Sequence, residues 1–429
     1  MMKKMKIHRI LMVFIAAILA MTGCAAAGCA AVRAPAAGDL MADVQAAERP
    51  AKPGALPETF NQAVLDFSWT LLQQTDKGAG NMMISPASVF MALAMTLNGA
   101  DGDTRAAMLD VLAGSGLTED ALNQSSRDWM TLLQDTGDKT ELYLSNAIWL
   151  RDTFAADPDF LQRNADYFGA TARKLDFAQP EAVKTINDWV KTATRGKIDS
   201  IVDQIKDDVV MYLINAIYFK SDWKVPFKAD QTFDGMFAAR EKEVQVPFMN
   251  QAGTMDFLED NGLAGVWLPY VDEQFGFFAI LPDEGMDVRR LLTERSGADL
   301  AAWIKNRSQS SVSLRIPKFE VRFETGLVEP LKAMGMNVAF VAGQADFSRM
   351  NADHTIDLFI SDVRHKTFFR IDEKGSEAAA VTSVEVSLTS IPEYEHTLDF
   401  SRPFLYGIAD AKTGLPLFIG IMEDPTAVE

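Results

Sequence analysis

Apolar positions recur at helical spacing over the first part of the chain. Near Phe60 they begin to crowd one side, with Val64, Leu65, Phe67, Trp69, Leu71 and Leu72 on it. A turn over residues 81–86 contains Ser-Pro and leads into a second helix over 88–98. Asn98-Gly99-Ala100-Asp101-Gly102 punctuates it, and residues 104–112 form a third. Strand-like runs follow at 142–150, 209–220, 275–281, 312–316 and 355–369, with helical pieces between them, including 181–194. Residues 404–409 and 416–421 read as a hairpin closed at Lys412-Thr413-Gly414. Helices come early and strands late, without regular βα alternation, which predicts an α+β fold. No internal repeat is visible. No Gly/Pro/Ser-rich linker interrupts residues 57–425, so residues 57–429 read as one domain.

The N-terminus has a different pattern. Lys3, Lys4, Lys6 and Arg9 precede an uncharged apolar run over 10–21. That run is short of the roughly 20 residues a bilayer span needs, and it reads as an export signal over residues 1–23. Met21-Thr22-Gly23-Cys24 resembles a bacterial lipobox, with Met21 where Leu is usual. Cys24 is therefore the expected lipidation site, and Cys29 is a second candidate. Residues 24–56 are rich in Ala, Pro and Gly and read as a tether. The expected location is outside the cytoplasm, either anchored to the cell envelope through the lipid or secreted.

Composition narrows the function classes. Hydrophobic residues make up 48% of 429 and charged ones 23%, enough for a large core. The net charge of −18 disfavours phosphate backbones and anionic lipid, which argues against a nucleic-acid partner. Both cysteines lie before residue 30, so the body has no disulfide, thiolate metal site or catalytic cysteine. Of four histidines, His8 is in the signal, leaving His354, His365 and His396. No nucleophile elbow, zinc-protease motif or phosphate-cradling glycine loop is present. No catalytic residues, metal ligands or cofactor are expected.

Five segments carry a family resemblance. Asn81-Met82-Met83-Ile84-Ser85-Pro86-Ala87-Ser88, followed by Leu93-Ala94-Met95 and Gly99-Ala100, resembles the serpin helix-B signature. Asn215-Ala216-Ile217-Tyr218-Phe219-Lys220, then Trp223 and Phe227, is similar to the third strand of serpin sheet A. Asp372-Glu373-Lys374-Gly375-Ser376-Glu377-Ala378-Ala379-Ala380 resembles the serpin hinge. Arg402-Pro403-Phe404-Leu405-Tyr406 and Leu417-Phe418-Ile419-Gly420 resemble the family's last strands. Weaker matches lie at 186–190, 196–198 and 316–319. The matches are collinear over about 57–425.

The resemblance implies a metastable fold of three β-sheets with about eight to nine helices and an exposed reactive-centre loop over about 375–400. It implies a monomeric suicide-substrate inhibitor. A target serine or cysteine protease would cut the loop and be held covalently as an acyl-enzyme while the loop inserts into sheet A. Fourteen inserted residues carry the loop's end by about 45 Å. By resemblance, Ser85, Ser88, Asn215 and His365 form a shutter under the sheet, and Trp223, Lys318 and Glu373 form the breach where insertion starts. The hinge comprises Glu373, Gly375, Ser376, Ala378, Ala379, Ala380 and Thr382, with Gly375 expected to permit a sharp reversal.

The loop's own residues alternate. Ser376, Ala378, Ala380, Thr382, Val384, Val386 and Leu388 make an uncharged face that starts small and ends apolar. Glu377, Ala379, Val381, Ser383, Glu385 and Ser387 make the other, which holds both glutamates. That suits a strand with one buried and one wet face. An edge strand with an alanine-rich start has the same pattern, and the flanking motifs favour the hinge. Family spacing puts the scissile bond at Thr389–Ser390, with Leu388–Thr389 the near alternative and Tyr394 a distant one. No Lys or Arg lies between Lys374 and Arg402, so the expected targets are elastase-like, subtilisin-like or papain-like rather than trypsin-like. The alternative is a non-inhibitory member acting as a carrier.

Overall fold

A computed structural model describes residues 38–41, 44–48, 53–114, 116–207, 209–356, 358–376 and 393–427. Among them are nine α-helices and three sheets. The helical layer begins with α1 (Glu58–Thr75), α2 (Pro86–Leu97), α3 (Gly102–Ala113) and α4 (Glu119–Gln134). Ser85 caps α2 by accepting the Ser88 amide, and Pro86 occupies the first turn, where its missing N–H costs nothing. Eleven of the twelve α2 residues are buried, because this helix sits at the centre between the sheets.

The largest sheet has nine strands and forms the back of the molecule. β1 (Met82–Ile84), β15 (Pro416–Met422), β14 (Phe404–Asp410), β8 (Phe275–Pro282), β7 (Leu263–Pro269), β6 (Glu243–Asp260), β9 (Ser308–Pro317) and β13 (His396–Asp399) follow in that order, and β5 (Thr232–Ala238) pairs with β6. Every residue of β8 and β15 is buried, so their apolar runs read continuously rather than alternating. The expected C-terminal hairpin is β14–β15. Between these strands lie α7 (Arg290–Glu294), α8 (Gly297–Lys305) and α9 (Val328–Leu331).

The front is split into two blocks. One is ordered β12 (Gly375–Ser376), β4 (Met211–Asp222), β2 (Thr140–Arg151), β3 (Thr171–Leu175); the other pairs β10 (Phe319–Gly326) with β11 (Arg364–Ile371). α5 (Pro158–Phe168) precedes β3. α6 (Pro180–Ala193) covers the front face, where Ile186 and Val190 pack with Trp149 and Ile214 in a separate small core.

The run read from sequence as a strand over 355–369 pairs only from Arg364 onward. Residues 358–363 lie beside the lower half of β4 without a ladder, and a cavity of about 180 Å³ separates the two. Those residues are apolar enough for a strand but have no partner edge.

Candidate functional site

Among the described residues the two front blocks meet at one end only. β11 rises to Ile371, and residues 372–374 reverse the chain into β12. The turn is closed by the Asp372 amide on Gly375 O (3.0 Å) and by the Lys374 amide on Asp372 Oδ1 (3.0 Å). It is cradled by the Trp223 amide on Lys374 O (2.7 Å), the Phe227 amide on Glu373 O (2.7 Å) and the Trp223 indole on Asp372 O (2.8 Å). β12 then runs antiparallel to β4, with Gly375 opposite Asp222 and Ser376 opposite Ser221.

The structure corrects the expected reason for Gly375. It has no positive φ, and residues 372–374 make the reversal. Its backbone lies so close to β4 that a Cβ would stand 2.1 Å from Ser221 O. Glycine is needed there for close approach.

Ser376 is 2% exposed, and its hydroxyl lies 2.6 Å from the Tyr270 hydroxyl. Tyr270 is itself buried and stacks on Trp223 with centroids 4.8 Å apart. Burial pushes the Tyr270 phenol pKa up, and the bond to Ser376 opposes this only in part. Lys318 Nζ bonds Glu373 Oε2 at 2.9 Å, and Thr232 Oγ1 donates to Glu373 Oε1 at 3.0 Å. Burial works against the Glu373 carboxylate, yet the bond and charge of Lys318 together with the Thr232 bond hold its pKa below the ordinary value. Trp223, Lys318 and Glu373 therefore meet at the turn that starts the loop.

The other polar cluster lies midway down β4. The Ser85 amide donates to His365 Nε2 (3.0 Å), and its hydroxyl donates to Leu417 O (2.8 Å). The Ser88 hydroxyl reaches Asn215 O (3.4 Å). Asn215 Nδ2 donates to Asn146 Oδ1 (2.7 Å), and Asn146 Nδ2 to Phe168 O (2.8 Å). The four residues share one region, but His365 and Asn215 are joined through α2 rather than directly. Because Nε2 accepts, His365 is neutral, and burial lowers its pKa to about 4. Asn215 Oδ1 is buried with no partner among the described residues, on the wall of the cavity between β4 and residues 358–363.

Three contributors went unnoticed in sequence: Tyr270, Asn146 and Thr367, whose hydroxyl donates to Met83 O (2.8 Å). For Asn146 the available signal was an amide inside an apolar strand. Tyr270 and Thr367 had none.

After the loop the chain is anchored by β13, parallel to β9. Arg315 Nη1 donates to both carboxylate oxygens of Asp399, at 2.7 and 3.0 Å, and the guanidinium lies over the Phe248 ring. His396 stacks on Phe257 with centroids 3.9 Å apart. Cys24, Ala378, Ala379, Ala380, Thr382, Leu388, Thr389 and Ser390 lie outside the described residues. Among the described residues no group of three or more His, Cys, Asp or Glu is placed to hold a metal. His354 is exposed, with Asp157 3.8 Å away, far from a nucleophile arrangement.

Comparison with known proteins agrees over most of the chain. The family model described as serpin (serine protease inhibitor) matches residues 62–425. An uncharacterized serpin-like protein of Thermococcus kodakarensis is 31% identical over 374 residues, covering 85% of each chain. The leukocyte elastase inhibitor of Xenopus tropicalis is 31% identical, covering 86% of this chain and all of its own. The thermophilic serpin tengpin in its native state superposes with a TM-score of 0.83 at 34% identity, covering 90% of this chain and 99% of its own; in its latent state the TM-score is 0.77. With an unpaired slot in its front sheet, a hinge docked at one end of that slot and a family match spanning nearly the whole folded body, the chain belongs to the serpin family.

Proposed function

We propose that this chain is an inhibitory serpin, a suicide substrate for elastase-like or subtilisin-like proteases, with papain-like enzymes as further targets. The observation that carries this is the register of β12 on β4. Gly375 opposite Asp222 and Ser376 opposite Ser221 set a ladder that, continued without a slip, seats Ala378 opposite Phe219, Ala380 opposite Ile217 and Thr382 opposite Asn215. Val384 then faces Leu213, and Val386 faces Met211, the residue at which the 12-residue β4 begins.

Directly opposite residues of an antiparallel pair point to the same face. Phe219 is buried in the main core, and Ile217, Leu213 and Met211 pack against it. The register therefore delivers the uncharged face of the loop inward and both glutamates outward. Thr382 lands beside Asn215, whose free Oδ1 can accept its hydroxyl. A one-residue slip would bury Glu377 and Glu385 instead.

Protease attack on the loop's bait bond forms an acyl-enzyme. The freed strand then gains sheet hydrogen bonds and apolar burial worth about 25 cal/mol per Å². Insertion carries the bound protease to the opposite pole before the ester is hydrolysed. The absence of Lys and Arg between Lys374 and Arg402 supports small and apolar primary pockets over cationic ones. We place the bait bond at Thr389–Ser390. The basic and apolar start ending at Cys24 supports export with a lipid anchor on that cysteine.

The test is incubation of the mature chain with an elastase-like and a subtilisin-like protease, followed by denaturing gels and mass spectrometry. A covalent adduct that survives denaturation is expected, with a released peptide beginning at Ser390. Clean cleavage with active protease left over would contradict the inhibitory reading and favour the carrier.

A further inference from the structure

Among the described residues five large apolar side chains are exposed, and three of them, Val225, Phe233 and Met236, fall in one short stretch of chain. That stretch begins in the cradle of the hinge. Val225 lies between Trp223 and Phe227, whose amides hold Lys374 O and Glu373 O at 2.7 Å each. Phe233 and Met236 lie on β5, which pairs with β6 and carries no strand on its other edge among the described residues.

β5 reaches from the start of the bait loop to the chain that follows it. At one end Thr232 Oγ1 donates to Glu373 Oε1 (3.0 Å). At the other the Ala238 amide donates to Ser401 O (2.7 Å). The seven residues between these bonds span about 20 Å. Glu373 and Ser401 bracket the loop, so a protease that grips the loop is brought against this end of the molecule.

Edge strands are commonly guarded by Lys or Pro. β5 reads Thr-Phe-Asp-Gly-Met-Phe-Ala and has neither. Strand alternation turns Phe233 and Met236 to opposite faces, so both sides of the edge are apolar. Phe237 is buried with its ring 6.5 Å from that of Phe404, which fixes β5 to the core and leaves Phe233 outside it. The charges nearest Phe233 in sequence, Asp230 and Asp234, are acidic and exposed, in a chain whose net charge is −18. Exposed apolar surface rimmed by charge of one sign marks a place for a partner of the opposite sign.

We propose that Val225, Phe233 and Met236, with Asp230 and Asp234, form a second docking surface for the target protease, which meets it with apolar and basic residues beside its own cleft. This rests on the inhibitory reading. Contact here adds to the grip on the loop before the bait bond is cut. It therefore raises the rate of capture and leaves the later race between insertion and ester hydrolysis untouched.

The test uses the full mature chain and an elastase-like protease of basic isoelectric point. It measures the second-order rate of adduct formation and the number of loops cleaved per adduct. Phe233→Ser should lower the rate about tenfold with loops cleaved per adduct unchanged. Asp230→Asn together with Asp234→Asn should lower it about threefold at low salt and leave it unchanged at high salt. Ile356→Ser, at an exposed apolar position elsewhere, should match the parent. The noncovalent complex with the same protease, its nucleophile replaced by Ala, should weaken by about the same tenfold in Phe233→Ser. Phe233→Ser that forms adduct at the parent's rate would overturn the docking surface while leaving the inhibitory reading standing. A slower rate accompanied by more loops cleaved per adduct would overturn it too, by assigning Phe233 to the hinge. A self-associating parent made monomeric by Phe233→Ser, with the rate unchanged, would give the edge to a second copy of this chain instead. A parent that forms no adduct would remove the inhibitory reading, and the docking surface with it.

Discussion

The back sheet and the front sheet of this molecule are built to opposite ends. In the back, strands from β1 to β15 and from β8 to β13 pair without a gap, and β8 and β15 are buried throughout. In the front, among the described residues, the strands divide into two blocks joined only at the hinge, with a cavity between the lower half of β4 and residues 358–363. Buried strand edges without partners are costly in an ordinary fold. On the proposed loop-insertion reading the missing partner comes from the same chain, and Gly375 and Ser376 already pair with β4. Stability is thus concentrated in one sheet and the capacity for change in the other.

The hinge is where the comparison breaks most severely. Ser376→Arg places a cation in a 2%-exposed seat against Tyr270 and stops the ladder at its second rung. Burying an unpaired charge costs several kcal/mol, so insertion loses its race with ester hydrolysis. The yield of stable adduct per loop cleaved should fall about a hundredfold or more, scored on denaturing gels against the parent. An unchanged yield would mean that Ser376 is not part of the inserted strand.

His365 links the two sheets, because it accepts from Ser85 while the Ser85 hydroxyl donates to Leu417 of β15. Its pKa is lowered to about 4 by burial, so between about pH 4 and 6.5 the unfolded chain binds the extra proton and the folded one does not. The contribution of neutral His365 is therefore full above about pH 6.5 and is lost as pH falls toward 4, amounting to roughly 3 kcal/mol. Urea unfolding at pH 7 and at pH 4.5 should show this loss. His365→Gln should flatten that part of the profile, and an unflattened profile would assign it to other groups.

The smallest expected effect sharpens the comparison. Tyr270→Phe removes one hydroxyl bond to Ser376 and leaves the stack on Trp223, a change of about 1 kcal/mol. Exchange of the hinge amides should rise roughly fivefold with adduct formation retained. A hinge unaffected by this change would place its hold in the backbone pairing to β4 alone.

Much of this was legible in sequence because it is local. The Ser-Pro turn that leads into α2 and the β14–β15 hairpin each rest on residues close together in the chain. What escaped depends on partners far away. β6 runs 18 residues and serves several neighbours, but Asn250-Gln251-Ala252-Gly253-Thr254 interrupts its apolar pattern. Residues 358–363 look like strand and lack an edge to join. Gly375 reads in sequence as the residue of a reversal, whereas its constraint in the fold is the close approach of Ser221.

Loop insertion is tested most directly by the thermal unfolding midpoint of the chain before and after a single cut between residues 377 and 392, made by a protease that is not trapped. The parent should unfold at a higher temperature after cleavage, as the freed segment fills the slot between β4 and β11, and cleaved Ser376→Arg should not. A cleaved parent that unfolds at or below the temperature of the intact chain would contradict insertion.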